Sequence, residues 1–157
     1  MKDRYNEEQA RFNHFETKCS KLLTFLTGVI GALSIYGGYA KDKIFSLDNP
    51  IEVIIFALFV CAVFCVICAW GHALLAIKIG DCPILPKSRE AAEYIKESDE
   101  EDRNEYIFNC HVDTLDELAS VIDEKSKNLE YSYSELTLGA WAIGFLALIT
   151  IIMEIVK

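Results

Sequence analysis

The side chains best placed to do chemistry are hydroxyls, thiols and charges that recur at helical intervals. Thr24, Thr27, Gly31, Ser34 and Gly38 follow one another at three- and four-residue steps, with Gly28 beside them. A helix collects them on one side. Small residues let helix backbones approach closely in a membrane, and that is the commoner use of such a face. The other use is as a pore wall, with hydroxyls and bare backbone turned to water. Cys61, Cys65, Cys68 and His72 are spaced four, three and four apart. Cysteine mostly behaves as a small hydrophobe, so helix packing is the favoured reading here. An ionisable histidine at membrane depth is the functional alternative, with an intramembrane enzyme as its extreme form.

Charged residues form two further groups. Glu52 and Glu154 stand near the ends of apolar runs, where both reach the interface and are solvated. In a symmetric ring they would add negative charge to an outer mouth and favour cations. Arg11 and Lys125 each lie 11 residues before an apolar run, about 16 Å below it at about 1.5 Å per residue. With Lys18, Lys21 and Lys127 they make a candidate basic collar for an anionic ligand. The competing explanation is the retention of basic residues on the inner side of a membrane.

Other chemistry is not encoded. Cys82, Cys110 and His111 lack the paired spacing of a metal site. There is no phosphate-cradling glycine loop, no nucleophile elbow and no metal-spaced His and Glu set. Neither an enzyme nor a cofactor is expected.

The elements that must position these residues follow from where charge is missing. Residues 22–40 and 53–77 contain no formal charge, and residues 136–156 contain only Glu154. Those 65 residues hold one of the chain's 39 Asp, Glu, Lys and Arg side chains. A helix on a soluble protein shows a polar face, because one side meets water. These runs show none, and each is long enough to cross a hydrocarbon core of roughly 30 Å. The expected fold is therefore all-α and integral to a membrane, with three transmembrane helices. The first run follows 21 polar and charged residues and exceeds the roughly 7–15 apolar residues of a signal peptide, so it reads as a retained span.

Basic residues set the orientation, because Lys and Arg resist translocation. An inside N-terminus places 12 of the 15 inside and three outside. That puts residues 1–21 and 78–135 in the cytoplasm, a short link at 41–52 outside, and the C-terminus outside. Cys19, Cys82 and Cys110 then face a reducing compartment, so no disulfide is expected.

Residues 1–21 read as a helix, with Tyr5, Phe12, Phe15, Cys19 and Leu22 mostly three, four or seven apart. It either lies along the interface or continues into the first span. Asp48-Asn49-Pro50 is a turn followed by a helix start, and Gly80 to Pro86 breaks the chain after the second span. A helix is expected from Ser88. Ser98-Asp99-Glu100-Glu101 and Thr114-Leu115-Asp116-Glu117 both have the spacing of a capping box. From about Thr114 the stripe Leu115, Leu118, Ile122, Leu129 and Tyr133 leads without Pro or Gly into the third span, so one long helix is expected there. Residues 78–135 hold 16 acidic and seven basic side chains, which argues against broad nucleic-acid binding.

Residues 114–148, TLDELASVIDEKSKNLEYSYSELTLGAWAIGFLAL, pass from an acidic helix through a Lys-containing segment into a closing apolar helix. This pattern resembles small bacterial defence proteins. The whole plan is a cytoplasmic helix, a membrane hairpin, a polar insert and a last span. It is similar to the membrane effectors of nucleotide-signalled anti-phage systems, including two-transmembrane effectors of cyclic-oligonucleotide systems and the Hailong-type channel effector. The resemblance implies a homo-oligomeric pore, of cyclic symmetry, that depolarises the inner membrane and kills the infected cell. It also implies a partner nucleotidyltransferase that makes the controlling nucleotide or short oligonucleotide. The acidic segment counts against an anionic ligand there, which leaves the basic collar as its site. A membrane anchor whose acidic helices bind a soluble partner is the alternative.

Overall fold

The structure is a computed structural model that describes residues 2–45, 47, 49–79, 83 and 88–156. It is helical, with no strand among the described residues. Helix α1 runs Lys2–Tyr39, α2 is the single turn Lys41–Ile44, α3 runs Pro50–Lys78, α4 runs Arg89–Glu97 and α5 runs Glu100–Val156. The segment of residues 2–21 thus continues straight into the first apolar run. At about 1.5 Å per residue, α1 is about 57 Å long and α5 about 86 Å, from 38 and 57 residues.

Local chemistry sets the helix ends. Pro50 occupies the first position of α3, where its missing N–H costs nothing. The Glu52 carboxylate accepts from the Asn49 backbone N–H and from Asn49 Nδ2, both at 3.3 Å. Ser88 Oγ accepts from Ala91 N at 3.1 Å and starts α4. The Ser98 hydroxyl does not open a capping box with Glu101. It donates back to Tyr94 O at 2.6 Å and closes α4 instead. Thr114 is not a helix start either, because α5 is already under way. Its hydroxyl donates to Cys110 O at 2.7 Å, the usual outlet for a threonine inside a helix. The break at 80–86, Asp48 and Cys82 lie outside the described residues, apart from Pro83.

The packing is an antiparallel hairpin of α3 on α5, with α1 laid alongside and parallel to α5. Along α3 the buried residues Ile55, Phe59, Ala62, Val66, Ala69, Ala73 and Ala76 follow alternating steps of four and three, with Cys65 buried beside them. That is the spacing of a coiled-coil seam. Small side chains in this seam bring α5 close. A methyl at Gly139 would lie 3.3 Å from Val66 Cγ2 and 3.4 Å from Cys65 Cβ. Ser132, also buried, donates to Ala69 O at 2.7 Å across the seam. The buried stripe of α5 is Leu118, Ile122, Lys125, Leu129 and Ser132. Tyr133, expected in the stripe, is exposed, because the seven-residue step from Leu118 through Lys125 brings Ser132 inward instead.

The most apolar stretches are the least covered. Within α1, α3 and α5, only 17%, 28% and 17% of the most apolar stretch is buried inside the bundle. Burying apolar surface is the main drive for folding in water, and a soluble fold would cover these stretches first. Three helices long and apolar enough to cross a membrane, with their apolar surface turned outward, suggest a membrane protein.

Candidate functional site

Packing leaves one face of α1 largely uncovered. Thr24, Thr27, Gly31, Ser34 and Gly38 are all exposed. A methyl added at Gly28, Gly31 or Gly38 would meet nothing within 4 Å. The close approaches within the chain are elsewhere, at Gly37 against the Phe59 ring and at Gly139 against α3. The glycines of this face therefore make no close helix approach inside one protomer. The hydroxyls satisfy themselves on their own helix: Thr24 donates to Ser20 O at 3.0 Å, Thr27 to Leu23 O at 2.8 Å and Ser34 to Ile30 O at 2.8 Å. Each keeps an acceptor lone pair facing out. Trp70 Nε1 uses the one on Thr27, at 3.2 Å.

Below the apolar stretches, α1 and α5 meet at a charged node. Lys125 is completely buried, with Nζ 3.2 Å from Glu16 Oε1 and 4.2 Å from the centre of the Phe12 ring. Phe12, Leu118 and Ile122 pack beside it. Cys19 is buried one turn nearer the apolar region, and burial pushes its thiol above the ordinary value while Lys125 opposes the shift. The Glu16 side chain is about half exposed, so the pair has one wet end.

The other basic candidates make contacts of their own. Arg11 pairs with Glu8 at 3.0 Å and Lys127 with Asp123 at 2.7 Å, each along its own helix and largely exposed. Asp123 holds the Lys127 ammonium above its ordinary pKa. Lys18 lies 5.9 Å from the Phe15 ring. Lys21 edges a shallow cavity with Glu16, Thr17, Ser20 and Ile77. The five do not converge on one point.

The thiol row does not converge either. Cys61 is exposed, Cys65 is buried against Gly139, and Cys68 is half-buried. His72 lies beside Tyr131, with ring centres 5.5 Å apart. Its Nδ1 is buried without a hydrogen-bond partner among the described residues, as is that of His111. Cys110 is half-buried, and its hydrogen bond with Tyr106 raises the phenol above its ordinary value. No cluster of metal-ligating side chains occurs among the described residues. Glu52 is committed to the start of α3, whereas Glu154 is exposed near the end of α5.

Sequence reasoning located the α1 face but missed the burial of Lys125. The available signal was its position seven residues after Leu118 and seven before Ser132, in register with the apolar stripe. Comparison with protein-family models, curated proteins and solved structures finds no match.

Proposed function

We propose that this chain is a homo-oligomeric membrane pore, an effector of bacterial anti-phage defence gated by a nucleotide or short oligonucleotide. The observation that carries the reading is the outward face of α1. Hydroxyls and glycines sit there exposed along an otherwise apolar span; its glycines pack against nothing inside the protomer, and Trp70 of α3 reaches Thr27. One copy encloses no channel, and cyclic association is the simplest way to turn such faces toward a common axis. The defence role and the nucleotide rest on the resemblance in organisation, and the cytoplasmic N-terminus on the distribution of Lys and Arg.

Helix α5 supplies a lever. It joins the acidic region to the third span without interruption, and the Lys125–Glu16 node ties it to α1. A ligand that binds one arrangement of these helices better than another shifts the population between them.

Expression in bacteria loaded with a membrane-potential dye, with purified protein in planar bilayers, tests the proposal. Rapid depolarisation together with discrete conductance supports it. A strictly monomeric protein without conductance overturns it. Membrane association without depolarisation leaves the anchor reading, with the acidic faces of α4 and α5 binding a soluble partner.

A further inference from the structure

We infer that the groove between the C-terminal half of α1 and the facing part of α3 binds one acyl chain of an anionic phospholipid, with the phosphate held at Lys41. The inference rests on α1 and α3 crossing a bilayer, and not on the pore. The groove encloses about 390 Å³. Its walls are Ile30, Leu33, Phe45, Phe59 and Val63, Ser34 and Gly38 edge it from the small-residue face of α1, and Lys41 stands at its end.

Three observations specify the occupant. First, the groove is built by what is absent. Gly37 has no side chain and lets the Phe59 ring lie against α1, while Gly38 opens on empty space. Second, its length fits one leaflet. From Lys41 to Ile30 along a helical path is about 16 Å, close to half of a hydrocarbon core of roughly 30 Å. Third, the charge sits at the right end. Lys41 directly follows the apolar stretch of α1, at headgroup depth, and its side chain is exposed. A cation there, above an apolar slot, complements a phosphodiester above an acyl chain. The slot is mostly apolar, and a hydrocarbon chain fits it.

Native mass spectrometry of the full chain in mild detergent, offered phosphatidylglycerol or phosphatidylcholine, tests this. The wild type should retain one phosphatidylglycerol per chain in preference to phosphatidylcholine. Lys41→Glu should lower the preference at least about fivefold. At Gly38 an added Cβ meets nothing within 4 Å, so Gly38→Leu should keep its helix content, fill the mouth and lose retention of both lipids. Equal retention of the two lipids by the wild type overturns the inference. So does a groove closed by a second copy, seen as a disulfide between Gly38→Cys chains that retain no lipid. Neither readout depends on conductance, so loss of lipid retention and loss of pore activity are separable results.

Discussion

Lys125 and Glu16 form an ion pair of unequal ends, the ammonium completely buried and the carboxylate about half in water. Desolvating an ammonium is expensive, and an apolar residue of similar size in such a place is often neutral or stabilising. Removing only the counter-charge leaves a buried cation without its partner. Glu16→Gln should therefore lower stability in detergent by about 1–3 kcal/mol. Lys125→Met, in a stripe with Leu118, Ile122 and Leu129, should match or exceed the wild type. The double variant should recover the Lys125→Met value. Thermal unfolding followed by circular dichroism reads all three, and an undisturbed Glu16→Gln would remove the pair from the account.

The two kinds of glycine should respond oppositely to leucine. Gly139 lies against Val66 and Cys65, so Gly139→Leu should overpack the α3–α5 seam at a cost of about 1–3 kcal/mol or more. Gly31 meets nothing within 4 Å, so Gly31→Leu should leave protomer unfolding unchanged. If the α1 face joins copies, Gly31→Leu should instead reduce the oligomer seen by analytical ultracentrifugation. Equal thermal losses for both variants would contradict the assignment.

Cys19 offers a pH test. Burial raises its thiol pKa, so the folded chain holds the proton more tightly than the unfolded chain does. This contribution is fully present below the ordinary thiol value and is lost as pH rises through the folded pKa. Stability should fall in that alkaline window, and Cys19→Ala should flatten the fall. Maleimide should label Cys19 slowly in the folded chain and quickly after unfolding. Fast labelling of the folded chain would show that the node is open.

The long elements were legible because charge-free runs mark helices apolar and long enough to cross a membrane, and because nothing between Glu100 and Val156 except Gly139 and Gly144 favours a break. The start of α5 was misplaced at Thr114, since a capping-box spacing in sequence does not say whether the preceding residues are already helical. Here they are, and the hydroxyl turns back to Cys110. Partner choice was not legible. Gly31 and Gly139 are alike as residue types, and only tertiary packing decides that one fits a seam while the other faces out. Lys125 was hidden for the same reason: its charge suggests water, but its seven-residue register places it in the stripe.

The most direct test is single-channel recording of Ser34→Cys in planar bilayers before and after a charged, water-soluble thiol reagent, with the wild type as control. The account predicts discrete conductance that drops when Ser34→Cys is modified and stays unchanged in the wild type. Conductance indifferent to modification at this position, or no conductance from either chain, would contradict it.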